Sequence, residues 1–89
     1  MKSYRFFVSG RVQGVFYRAN IAKNAQEEGF SGYVRNLSDG RVEAAVSCTE
    51  KELERFKALL QKGSALSRVD AIVEESSDEH YRGDFEIRY

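Results

Sequence analysis

Gly10-Arg11-Val12-Gln13-Gly14-Val15-Phe16-Tyr17-Arg18 joins a strand pattern to a helix pattern, and the fold is read outward from it. Before it, Tyr4-Arg5-Phe6-Phe7-Val8-Ser9 is aromatic and β-branched, with Tyr4, Phe6 and Val8 on one face of a strand. After it, a helix is expected from Tyr17 to Glu28: Tyr17, Ile21 and Ala25 recur every four residues, with Ala22 beside them. Gly29 suits the stop. The two glycines between strand and helix free the backbone to turn. Successive N–H groups can then converge on one point, to which a helix N-terminus adds its own unpaired donors and positive dipole. Arg18 stands where a guanidinium reaches that point. The pattern describes an anion cradle sized for a phosphoryl group, although a glycine-rich strand-to-helix turn with a surface arginine is an equally simple reading.

Further along, Phe30 to Leu37 and Arg41 to Cys48 are expected strands. Ser38-Asp39-Gly40 between them is a hairpin signal, and Val42, Ala44 and Val46 point inward. Thr49-Glu50-Lys51-Glu52 is a capping box opening a second helix to about Lys62. Its stripe is Leu53, Phe56, Leu59 and Leu60, and Gly63 ends it. Val69 to Glu74 reads as a fourth strand, Asp78 to Gly83 as an exposed loop and Asp84 to Tyr89 as a short closing strand. The order β-α-β-β-α-β with an extra strand gives an α+β fold: the ferredoxin-like split β-α-β sandwich, with two helices on one face of an antiparallel sheet. Residues 1–89 form a single expected domain, without linkers, repeats or low-complexity tracts.

Composition sets outer bounds. With 42% hydrophobic and 31% charged residues the chain is of ordinary globular character. No apolar run approaches the roughly 20 residues that span a bilayer, and the first residues lack a signal-peptide core. A cytoplasmic protein with no membrane partner is expected. Cys48 cannot pair within the chain and reads as a packing residue; His80, in a polar stretch, reads as a solvated loop residue. No cluster has the spacing of a metal site, so neither metal nor cofactor is expected. Net charge is zero, but the first 26 residues carry Lys2, Arg5, Arg11, Arg18 and Lys23 and no acid. That asymmetry favours an anionic small molecule near the loop, and the overall balance argues against nucleic acid.

The run Gly10–Arg18 resembles the signature loop of the acylphosphatases. Gly32-Tyr33-Val34-Arg35-Asn36-Leu37-Ser38-Asp39-Gly40 resembles that family's asparagine-bearing strand, and Phe85-Glu86-Ile87-Arg88-Tyr89 its C-terminus. The resemblance implies metal-independent hydrolysis of a small acyl phosphate to a carboxylate and inorganic phosphate, with water as nucleophile. It gives Arg18 the substrate phosphate and Asn36 the water. Gly10, Arg11, Val12, Gln13, Gly14, Val15 and Phe16 form the phosphate-binding loop, Gly14 allowing close backbone approach and Phe16 and Tyr17 serving as rim or core. Inorganic phosphate is then both product and ligand, and the protein a monomer.

The resemblance also implies that the last strand packs near the loop, with its terminal carboxylate beside Arg18; filling of the core edge is the alternative. The family often carries a proline after the second helix. Gly63-Ser64-Ala65-Leu66-Ser67 stands there instead, a departure expected to bear on loop rigidity and not on the site. Two other readings share the topology. An RNA-binding module is faintly echoed by Phe30-Ser31-Gly32-Tyr33-Val34, without the basic register it needs. A regulatory domain without turnover would have no use for Arg18 and Asn36 around one cradle.

Overall fold

The computed structural model describes residues 1–89. Its elements are β1 (Lys2–Arg11), α1 (Tyr17–Glu27), β2 (Ser31–Asn36), β3 (Val42–Cys48), α2 (Glu50–Lys62), β4 (Arg68–Ser77) and β5 (Phe85–Arg88). They form one five-stranded sheet in the order β4-β1-β3-β2-β5. The expected α+β sandwich is present, and its faces follow the sequence pattern. Tyr4, Phe6 and Val8 of β1 are buried, as are Tyr17, Ile21, Ala22 and Ala25 of α1 and Phe56, Leu59 and Leu60 of α2. Phe56 is the hub, its ring centre 5.7 Å from Phe6, 5.3 Å from Phe30 and 5.8 Å from Phe85. The capping box forms: the Glu52 N–H donates to Thr49 Oγ1 at 3.3 Å, and the Thr49 N–H to Glu52 Oε1 at 3.0 Å.

Three features differ from the sequence reading. The sheet is mixed: β1, β3, β2 and β4 pair antiparallel, but β5 lies parallel to β2, Gly32 opposite Phe85 and Arg35 opposite Arg88. The chain leaves β4 and crosses the sheet before β5 begins, so it arrives at the far edge running the same way as β2. β4 is longer than its apolar core suggests, because polar Glu75, Ser76 and Ser77 complete the ladder with β1. Finally, β3 is buried on both faces along its whole length. The face away from the helices is not bare. Tyr81 lies edge-on to Tyr33 at 5.5 Å, its N–H donates to Ser47 Oγ, and the Arg88 guanidinium stacks 4.0 Å above the Tyr33 ring. The stretch read as an exposed loop therefore covers part of the sheet.

On the same face lies Glu43, 2% exposed. Its carboxylate accepts from Arg35 Nε at 2.5 Å and from Tyr33 Oη at 3.1 Å, with Arg5 3.9 Å away. A buried carboxylate is costly unless paired and hydrogen-bonded, and here it has both. Burial, then the Glu43 charge, push the Tyr33 phenol up to about 12.

Candidate active site

β1 runs through Arg11, so the loop is shorter than the sequence reading made it. Gly10 pairs with Val69 and Arg11 with Arg68, at a register shift in the β1–β4 ladder. At Gly10, with φ at 128°, a Cβ would fall 2.2 Å from the Arg68 carbonyl oxygen. This glycine is required by close strand approach, and neither Gly10 nor Arg11 lines the cavity described below. Val12 and Val15 point into the core, which fixes the loop from beneath.

Three side-chain contacts fix the loop from its sides. Gln13 Nε2 donates to the carbonyls of Leu37 and Arg41, at 2.8 and 2.9 Å, clamping the loop to the β2–β3 hairpin. Ser64 Oγ donates to the Val15 carbonyl at 2.6 Å. Ser67 Oγ in turn donates to the Ser64 carbonyl and accepts from the Ser64 N–H, both at 2.9 Å. The serine loop after α2 thus bears on the site directly, contrary to the sequence reading. Neither the Gln13 clamp nor the Ser64 tie has a local signal, because each joins residues more than 20 positions apart.

The backbone donors of this loop are free. The N–H groups of Gln13, Gly14, Val15 and Phe16 make no hydrogen bond to a main-chain acceptor. Gly14 turns with φ at 74°, and Phe16 takes the left-handed conformation (φ 63°, ψ 20°) as the residue capping α1. Phe16 offers no side-chain cap, and the first turn of α1 holds no acid. The first intrahelical bond is from the Asn20 N–H to the Phe16 carbonyl, leaving the N–H groups of Tyr17, Arg18 and Ala19 without helical acceptors.

A cavity of about 290 Å³ is lined by Val12, Gly14, Phe16, Tyr17, Arg18, Ala19, Asn36, Ile87 and Tyr89; Gln13 and Val15, like Gly10 and Arg11, do not line it. The structure therefore brings Arg18 and Asn36 to one space. Arg18 has no acidic partner within ion-pair distance. Its Nη1 donates a long 3.4 Å bond to the Arg88 carbonyl, and its guanidinium lies on the Tyr89 ring, 4.9 Å from the centre. A ring and a carbonyl, not the expected carboxylate, flank it. Asn36 ends β2 with Oδ1 buried and without a hydrogen-bond partner. An unpartnered buried amide oxygen is uncommon and calls for a ligand or water. Tyr17 belongs to the core: its hydroxyl donates to the Leu60 carbonyl at 2.7 Å, and burial raises its pKa well above the usual phenol value. Cys48 and His80 lie outside the cavity. Burial pushes the Cys48 thiol up to about 11, leaving it a packing group, while His80 is exposed.

A family model for acylphosphatase matches residues 4–87. The chain is 42% identical over 83 residues to the acylphosphatase of Haloarcula marismortui, covering 93% of this chain and 91% of that protein. It is 47% identical over 72 residues to the acylphosphatase of Legionella pneumophila (strain Corby), covering 81% and 79%. Its structure is similar to the crystal structure of acylphosphatase from Bacillus subtilis, with a TM-score of 0.91, 35% identity and 100% of each chain covered. Sequence, fold and cavity agree: the chain belongs to the acylphosphatase family and is a hydrolase of acyl phosphates.

Proposed function

We propose that the N–H groups of Gln13, Gly14, Val15 and Phe16, with the first turn of α1 and Arg18, bind the phosphoryl group of the acyl phosphate. Asn36 holds the water that attacks it. One observation carries this reading. Arg18, a guanidinium without an acid, Asn36, whose amide oxygen has no partner, and Gly14 and Phe16, whose N–H groups have no main-chain acceptor, line the same cavity. Donors of this kind stabilise a phosphoryl transition state without reorganising, because Gln13 and Ser64 already hold the loop. Arg18 spans two non-bridging oxygens with its planar fork, which a lysine ammonium cannot do.

In the reaction, water attacks phosphorus and the bond from phosphorus to the carboxyl oxygen breaks, its electron pair leaving on the carboxylate. A carboxylate is stable enough to depart without a proton, so the site needs no general acid. The water's proton passes to a phosphoryl oxygen, so no general base is needed either. Asn36 fits the remaining task, since a carboxamide accepts and donates hydrogen bonds and orients a water without deprotonating it. The substrate is a small acyl phosphate, and inorganic phosphate is both product and ligand.

We infer a monomer as the working unit, and the zero net charge supports a partner list without nucleic acid. No helix is long and apolar enough to cross a membrane. The cytoplasmic location remains an inference from the sequence, which cell fractionation checks.

The test is phosphate release from benzoyl phosphate by the native protein and by Arg18→Lys. The variant is expected to lose at least ~10²-fold in rate, the scale of removing one transition-state donor. Its melting should change little, because Arg18 makes no ion pair and is only half-buried. A fully active Arg18→Lys enzyme rejects the assignment.

A further inference from the structure

The proposed phosphoryl donors account for only part of the cavity lining. The remaining wall is apolar: Phe16, Ala19, Ile87 and the Tyr89 ring. With the phosphoryl group seated on the loop, the acyl group must leave along this wall. Phe16 stands out within it on two independent counts.

The first is exposure. Phe16 is 72% exposed, so its ring gains little from packing against the protein. The second is backbone conformation. Phe16 is the one non-glycine residue with positive φ, at 63°. Side chains with a Cβ pay for that conformation, and glycine is its inexpensive occupant. The left-handed turn itself is needed to swing the loop into α1. A glycine at this position would make the same turn, so the turn does not explain the ring. A strained residue with an unburied aromatic side chain, placed at the lip of a reaction cavity, is paid for by what the ring contacts in function.

We propose that Phe16 is a specificity-determining residue whose ring forms one side of an apolar seat for the acyl group, favouring aromatic and longer aliphatic acyl phosphates over acetyl phosphate. Ile87 and Ala19 line the cavity with it. The inference rests on the phosphoryl reading above, since it takes the direction of the acyl group from it. The Phe16 ring takes no part in bond breaking; it contributes contact area to substrates large enough to reach it.

The experiment compares kcat/KM for benzoyl phosphate and acetyl phosphate in the native protein, Phe16→Gly and Phe16→Asn. Both replacements tolerate the left-handed conformation, so the loop keeps its shape. The ratio of kcat/KM for benzoyl phosphate to that for acetyl phosphate should fall about tenfold in both variants, the scale of one hydrophobic contact in a specificity pocket. Melting of Phe16→Gly should be unchanged or raised. Thermal stabilisation by inorganic phosphate should persist in both variants. If both substrates fall together, or phosphate no longer stabilises the variants, Phe16 shapes the cradle and the proposal is overturned. If benzoyl phosphate is unaffected, no acyl seat exists at the ring. Arg18→Lys, assayed in parallel with both substrates, separates the two ideas: its full activity sinks the phosphoryl reading, whereas an unselective Phe16 variant sinks only this one.

Discussion

The guanidinium of Arg18 rests against the Tyr89 ring, 4.9 Å from its centre, at the mouth of the cavity. Tyr89 itself is 97% exposed and packs on little else, so the contact serves the arginine more than the fold. The long bond to the Arg88 carbonyl adds a weak second restraint on the same group.

Tyr89→Ala should therefore loosen Arg18 without unfolding the protein. An exposed cation–π contact is worth about 0.5–1 kcal/mol, or roughly a two- to fivefold loss in phosphate affinity. Tyr89→Phe keeps the ring face and should behave as native. Titration with inorganic phosphate, followed by intrinsic fluorescence or calorimetry, reads the difference. Equal affinity in Tyr89→Ala and native protein means that Arg18 needs no such support.

Asn36→Ala should separate binding from turnover. The buried Oδ1 of Asn36 accepts no hydrogen bond from the protein, and the proposed phosphoryl donors lie on the loop and on Arg18. Hydrolysis of benzoyl phosphate should fall while inorganic phosphate still raises the melting temperature by mass action. If affinity and rate fall together, the asparagine is a part of the cradle or of the hairpin, not a holder of water.

Chelation should leave activity intact. The donors bordering the cavity are N–H groups, a guanidinium and an amide, and none of its lining residues is Asp, Glu, His or Cys. Such a wall attracts an anion and repels a cation. Loss of turnover with a chelator, restored by magnesium, would show that the substrate arrives as its metal complex.

Much of this was legible in the residues. The face of β1, the stripe of α1 and the Thr49–Glu52 box are set by local period and capping chemistry, so pattern reading finds them. The convergence of Arg18 and Asn36 was implied by resemblance to a family, since neither residue alone distinguishes a site from a surface charge or a strand end. What escaped depends on distant chain. β5 lies parallel to β2 because of the path taken after β4, and no local signal sets that path. The Gln13 side chain joins the loop to the hairpin across more than 20 residues, which no local pattern marks. Glu43 sits at a position where strand alternation next to Val42 and Ala44 reads as solvent-facing. The side chains of Tyr33, Arg35 and Arg5 close on it there, from two neighbouring strands.

Glu43 gives the last expectation, one of stability rather than catalysis. Its carboxylate is shared among Arg35, Tyr33 and Arg5 on the face of the sheet away from the helices. Asn36 neighbours Arg35 in β2 and so projects to the opposite face, apart from this network. Glu43→Gln keeps the shape and an oxygen for Tyr33 and Arg35 but removes the charge. Glu43→Ala also leaves a cavity and an unsatisfied phenol. Breaking a fully buried pair costs about 3–5 kcal/mol. Here Arg35 and Arg5 are each about 40% exposed and are partly solvated without their partner. A loss of about 2–3 kcal/mol is therefore expected for Glu43→Ala, toward the lower end for a broken buried network, with Glu43→Gln intermediate. For a domain of this size that corresponds to a melting temperature lower by roughly 8–24 °C in Glu43→Ala. Both variants should keep near-native kcat while folded, because the cradle and Asn36 are on the other side of the sheet. Urea unfolding together with a benzoyl phosphate assay at low temperature measures both quantities. A Glu43→Ala protein as stable as native would mean that the covering residues, and not the carboxylate, hold this face together.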